Sequence, residues 1–154
     1  MNMVFHKIWG DFIALMLQRP KRLQVAALCH RGDGEDRQYL LVTSRETKRW
    51  ILPKGWPIRG LEMNEAALQE AWEEAGVKGG DVSDAPVGLY TYHKRKSSGW
   101  AIPVETLVYS VCVNDLVDRY PEVNQRIRKW VSADAAATMV DEGELQSLFQ
   151  DLAV

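Results

Sequence analysis

A chain of 154 residues and 17.5 kDa, 46% hydrophobic and 26% charged, is long enough to bury one sizeable core. A net charge of -2 excludes general attraction to nucleic acid or membrane, and no stretch reaches the 18 or more apolar residues of a membrane span. The N-terminus lacks a long apolar run and a small-residue cleavage site, so a cytoplasmic protein with no DNA or membrane partner is expected.

Phe5, Ile8, Trp9, Phe12, Ile13 and Met16 recur at helical spacing and predict an amphipathic helix over residues 3–18, ending before Pro20. Its polar face, centred on Lys7 and Asp11, lacks the basic stripe of a membrane-surface helix, so packing on its own domain or across a homodimer is expected. Residues 23–29 read as a strand, Gly32-Asp33-Gly34 as a turn, residues 39–43 as a second strand and 49–52 as a short third one ending at Pro53. A helix is predicted from an Asn64 N-cap to a stop at Gly76, with Met63 and Leu68 at the spacing of a hydrophobic staple. Gly79-Gly80 and Pro86 break the chain, residues 88–93, 105–113 and 128–131 are further strands, and a last helix covers 141–152. Cys29 and Cys112 sit in apolar runs without partners at metal-ligand spacing, which predicts two buried, reduced thiols. Strands with one central helix and helices at both ends predict an α+β fold with a mixed sheet between helix layers.

The central helix carries an unusual charge pattern. At about 100° per residue, Leu68, Ala71 and Ala75 share one face, and Glu70, Glu73 and Glu74 cluster on another, turned away by roughly 150°. Like charges at these spacings repel, and no Lys or Arg occurs between residues 60 and 77 to relieve them. Hard divalent cations bind carboxylate oxygens and share substrate phosphates, which is one reason for a chain to tolerate the repulsion. Flanking loops have the opposite sign. Arg45, Lys48, Arg49, Lys54 and Arg59 stand against Glu46 alone over residues 43–59, and residues 93–96 are His-Lys-Arg-Lys. Basic loops beside an acidic helix suit an anionic substrate bridged by cations. Trp50 and Trp130 read as core, whereas Trp56 and Trp100 fall in loops able to wall a pocket.

The segment from Gly55 to Val77 resembles the Nudix box, G-x5-E-x7-R-E-U-x-E-E-x-G-U with U aliphatic. Gly55, Glu70, Ala71, Glu73, Glu74, Gly76 and Val77 match in register. Leu61 stands where the box has Glu, with Glu62 one residue late as its nearest substitute, and Gln69 stands where it has Arg. In the family those two residues mostly brace the loop and orient the helix. The order Leu40-Leu41-Val42-Thr43-Ser44-Arg45, Arg49-Trp50-Ile51-Leu52-Pro53-Lys54-Gly55 and Trp130 is most similar to the diphosphoinositol polyphosphate phosphohydrolase group and its bacterial relatives.

The resemblance covers residues 22–152. It implies a Nudix-type α/β/α sandwich over 22–154; the N-terminal helix and connector of 1–21 lie outside the usual core of that family. It implies Mg²⁺ as the cofactor, with Mn²⁺ an admissible substitute. Glu70 and Glu74 are carried over as metal ligands, and Glu73 as the general base that also shares a metal. Ser44, Arg45, Lys54, Gly55 and Arg95 are carried over to substrate binding, with Arg128 a weaker match. The implied reaction is hydrolysis of a phosphoanhydride in a small polyphosphorylated molecule of the diadenosine polyphosphate or inositol pyrophosphate type. RNA 5′ ends, nucleoside diphosphate sugars and a catalytically silent polyphosphate sensor remain as alternatives.

Overall fold

A computed structural model describes residues 7, 8, 10, 11, 22–95 and 99–154, without the Arg95 side chain. Of the expected helix over 3–18, Lys7, Ile8, Gly10 and Asp11 are helical, and its other residues, any dimer contact built on it, and Lys96 lie outside the described residues. No described helix is long and apolar enough to cross a membrane.

Eight strands form one mixed sheet: β1 (Leu23–Arg31), β2 (Gln38–Thr43), β3 (Trp50–Ile51), β4 (Lys54–Gly55), β5 (Val77–Val82), β6 (Gly88–Arg95), β7 (Ala101–Leu116) and β8 (Arg128–Val131). The path β3-β2-β1-β7-β5 carries β8 on β2, β6 on β7 and β4 on β1. β1 and β7 run parallel, and the other pairs are antiparallel. Helix α1 (Met63–Ala75) covers one face, and α2 (Ala133–Met139) with α3 (Gly143–Leu152) covers the other. The layering follows from the period of two in β1 and β2. Leu23, Val25, Ala27, Leu40 and Val42 pack toward α1, while Ala26, Leu28, Tyr39 and Leu41 pack toward α2 and α3. This is the expected mixed sheet between helices.

One edge of β1 is divided. Near its end it pairs with β2 through His30 and Arg31, and near its start it pairs with β4, Val25 against Gly55 and Ala26 against Lys54. The short β4 is thereby held against the centre of the sheet, under α1. The helix can lie close because its buried face is Ala66, Ala67, Ala71 and Ala75, whose small side chains keep the backbones near one another.

Several local expectations are corrected. The N-cap of α1 is Glu62, which forms a reciprocal capping box with Glu65; its N–H donates to Glu65 Oε1 at 3.0 Å. Asn64 instead donates its side-chain amide to Ser83 O, 3.2 Å away, tying the first turn to the chain after β5. The staple positions shift with the cap, and Met63 and Leu68 pack on the core. Gly79-Gly80 lie inside β5, where register shifts against β7 absorb them. α2 is an additional helix, capped by Ser132 Oγ. Cys29 is buried, and burial pushes its thiol up to about 12, but Cys112 is exposed.

Candidate active site

Glu70, Glu73 and Glu74 leave α1 on the side facing β4 and the loop 117–127, and together they line a cleft of about 1110 Å³. The carboxylate face turned away from the core is not simply solvated: Glu74 is buried, while Glu70 and Glu73 are half-buried. Glu74 Oε2 accepts the Lys54 N–H at 3.1 Å, and Oε1 accepts Arg126 Nη2 at 3.1 Å. Glu73 Oε1 accepts Gln69 Nε2 at 3.1 Å. The Gln at the position where the box has Arg thus still orients a box carboxylate, without neutralising it.

Burial pushes the Glu70 carboxyl up to about 7, with the charges of Glu73 and Glu122 adding to the effect. Burial likewise carries Glu74 to about 7 against the opposing pull of Arg126. A folded-state pKa above the unfolded value means that the folded chain binds protons more tightly. The contribution of such a group to stability then falls as pH rises from about 4.5 to about 7. After removal of divalent ions, wild type is expected to lose melting temperature relative to Glu70→Gln between pH 5 and 7.5. Differential scanning calorimetry across that window would show parallel curves if the Glu70 carboxylate carried no such penalty.

Gly55 completes this corner. A Cβ on it would stand 2.2 Å from Glu70 Oε1, so the absence of a side chain is what admits the carboxylate beside β4. Among the described residues, no group of three or more His, Cys, Asp or Glu is disposed to hold a metal ion as it stands. Both Glu74 oxygens already accept hydrogen bonds. The donor set nevertheless fits a hard divalent cation: these are oxygen ligands, their negative charge is held at a cost, and Gly55 leaves room for Glu70. Glu70, Glu73 and Glu74 are the residues that would hold it.

The opposite rim is basic. The turn after β2 is closed by Ser44, whose Oγ lies 2.7 Å from Thr47 Oγ1 and accepts the Arg49 N–H at 3.0 Å. This presents Arg45, whose side chain is 61% exposed and meets Glu122 only at 3.7 Å and Gln125 at 3.4 Å. Lys54 Nζ lies 4.6 Å from the centre of the Tyr92 ring, and burial lowers its pKa to about 8 against the pull of Glu74 and Glu142. Lys94 Nζ sits 5.0 Å over Trp56, and both line the cleft with His93. Glu70, Glu73, Glu74, Ser44, Arg45, Lys54 and Gly55 are thus brought to one cleft. Arg95 ends β6 opposite Ala101, and its side chain lies outside the described residues.

Arg128 has another use. Its Nη1 donates to Ala75 O at 2.8 Å and Val117 O at 2.7 Å, placing a cation at the C-terminus of α1. Trp100 is 77% exposed and is not among the cleft residues. Trp50 and Trp130 are half-buried beside the core, as expected of packing residues.

Two residues of the cleft were not foreseen. Glu122 and Arg126 come from the loop 117–127, which is tied to α1 by Val117 N–H to Gly76 O (2.9 Å) and Glu122 N–H to Glu73 O (3.0 Å). Nothing local in the sequence marks them. The available signal was the lack of any cation near Glu74 on its own helix, which required one to come from elsewhere.

A mixed sheet between helices, with a cleft beside α1 lined by three carboxylates and rimmed by Lys and Arg, defines an α/β/α protein with a strongly charged cleft. Comparison with known proteins gives the family. A family model for the NUDIX domain matches residues 20–150, and the chain belongs to that family. "Nudix hydrolase 4" of Arabidopsis thaliana is 35% identical over 99 residues, which span 64% of this chain and 45% of that protein. "Diphosphoinositol polyphosphate phosphohydrolase 2" of Homo sapiens is 32% identical over 115 residues, 73% of this chain and 59% of the other. The chain thus spans about half the length of these curated relatives. Among solved structures, the Ap4A hydrolase of C. elegans superposes with a TM-score of 0.62 at 19% identity, over 85% of this chain and 95% of that one. The NUDIX domain of Shewanella oneidensis NrtR, complexed with ADP ribose, gives 0.62 at 16% identity, over 93% and 96%. At these identities the structures show a shared fold.

Proposed function

We propose that the chain is a Mg²⁺-dependent phosphohydrolase that cleaves a phosphoanhydride bond in a small polyphosphorylated substrate, of the dinucleoside polyphosphate or inositol pyrophosphate type. The observation that carries this reading is the meeting, in one cleft, of the three box carboxylates with a rim of Arg45, Lys54, His93 and Lys94. The printed names of the relatives, a diphosphoinositol polyphosphate phosphohydrolase and an Ap4A hydrolase, support the substrate class.

Glu70 and Glu74 are the proposed ligands of Mg²⁺, or of Mn²⁺ in its place. The bound ion supplies charge neutralisation of the phosphates and lowers the pKa of water. Glu73 is the proposed general base. Gln69 holds its Oε1, which leaves Oε2 to accept the proton of the attacking water. Gly55 leaves space for Glu70, and Ser44 shapes the turn that presents Arg45. Arg45, together with Arg95, is assigned to phosphates remote from the cleaved bond, where a guanidinium fork fits two oxygens, and Lys54 to substrate binding beside the carboxylates.

Phosphate release from diadenosine tetraphosphate, an inositol pyrophosphate and a nucleoside diphosphate sugar, with Mg²⁺ and with chelator, tests the reading. Tight binding with no release from any of them would overturn hydrolysis in favour of a silent polyphosphate sensor. A charged hydrogen bond contributes about 1.5 to 3 kcal/mol, so Arg45→Ala is expected to raise KM on the tetraphosphate roughly 10- to 100-fold, provided KM tracks binding. The effect on the diphosphate sugar, which has no remote phosphate, should be much smaller. Equal losses on both substrates would show that Arg45 does not read phosphate number.

A further inference from the structure

Arg126 is a buried cation of the cleft, with its side chain only 7% exposed. Its Nη1 donates to Thr43 O at 3.0 Å. Its Nη2 donates to Glu74 Oε1 at 3.1 Å and to Glu122 Oε1 at 3.2 Å, and Nε meets the same Glu122 oxygen at 3.4 Å. Four contacts occupy a group with five N–H donors, so little of it is left for a substrate phosphate. Arg45, exposed and loosely held on the same rim, is placed for that task instead. Glu74 belongs to α1 and Glu122 to the loop 117–127, and the guanidinium joins them across 52 residues of sequence from Glu74. Position 69 on the helix offers a neutral amide to Glu73, so the positive charge that balances the acidic face is delivered from outside the helix.

We propose that Arg126 is the resident counter-cation of the acidic face, and that it competes with the divalent ion for Glu74. The inference rests on the reading of Glu74 as a metal ligand. A guanidinium hydrogen-bonded to a ligand carboxylate lowers the negative potential available to a second cation on that carboxylate. Metal binding and the Arg126 pairs are therefore thermodynamically coupled with negative sign, and each weakens the other by the same factor. A simple structural brace has the opposite signature, because its loss would let the ligands wander and weaken metal binding.

The test is titration calorimetry of Mn²⁺ into chelator-treated wild type and Arg126→Gln at pH 7.5, with melting curves of both at zero and saturating Mn²⁺. Arg126→Gln is expected to melt lower without metal and to bind Mn²⁺ roughly tenfold more tightly, within the usual range of site-to-site coupling. Its melting deficit should accordingly shrink as Mn²⁺ is added. Unchanged or weaker Mn²⁺ binding by the variant would overturn the competition while leaving the proposed function standing. Failure of wild type to bind Mn²⁺ would overturn the metal reading, and this inference with it. Should Arg126→Gln not fold, Arg126→Gln/Glu74→Gln replaces the ion pair by two amides and is expected to recover the folded state. Failure of that recovery would also overturn the counter-cation role.

Discussion

Glu73→Gln is expected to lower kcat by roughly 10²-fold or more on the preferred substrate, the lower end for loss of a general base. The substitution keeps the shape of the side chain and, with its amide oxygen toward Gln69, keeps the hydrogen bond that orients it. The surrounding backbone is also held independently, since Glu73 O accepts the Glu122 N–H at 3.0 Å. What is lost is the capacity to take a proton. The melting temperature should be unchanged or slightly raised, because one of the charges beside Glu70 disappears. Steady-state kinetics at saturating Mg²⁺ and substrate, with a melting curve of the same preparation, separate the two effects. Turnover that survives Glu73→Gln but is lost in Glu122→Gln would move the base to the loop 117–127, whose carboxylate shares the cleft.

The largest loss of stability is expected from Gly76→Ala. Gly76 ends α1 with φ 75°, a left-handed conformation that costs an alanine about 1 to 2 kcal/mol. The added Cβ would also stand 2.6 Å from both Val117 O and Tyr120 Cδ1, and 2.7 Å from Arg128 Nη1. Val117 O is backbone held by Arg128, so it has little freedom to retreat, and such overpacking costs about 1 to 3 kcal/mol more. The sum, roughly 2 to 5 kcal/mol, corresponds to a fall of about 10 °C in melting temperature for a domain of this size. Gly79→Ala is the matched control, because its nearest neighbour is 3.7 Å away and its φ is not positive. A fall below about 2 °C in Gly76→Ala would show that the loop yields freely and that its hold on α1 is weak.

Much of the cleft could be read from the chain because its chemistry is written at short range. Glu70, Glu73 and Glu74 lie within two turns of one helix, and their spacing from Gly55 holds whatever the rest of the chain does. The continuous apolar run of 39–43 was legible as a strand for the same reason. The failures have a common origin in contacts made at a distance. Asn64 is a good cap by preference, yet Ser83 competes for its side chain and Glu65 rewards Glu62 with a reciprocal bond. Gly79-Gly80 disfavour a strand locally, but pairing with β7 imposes one. The seven residues of α2 are too few to show a helical period. Arg126 and Glu122 lie in an irregular loop where no periodicity marks a functional side chain. Arg128 carried the more suggestive position and proved to serve the end of α1 instead.

The divided edge of β1 separates two kinds of evolutionary freedom. Because β4 occupies the first half of that edge and β2 the second, the chain between them, residues 44–53, leaves the sheet and returns to it at fixed points. The acidic residues are anchored elsewhere, on α1 and the loop 117–127. The turn carrying Ser44 and Arg45 can therefore be lengthened, shortened or exchanged while the carboxylate cluster keeps its geometry. A designer who wished to retarget the proposed activity would graft at this turn, and divergence among paralogues should concentrate there before it reaches the helix.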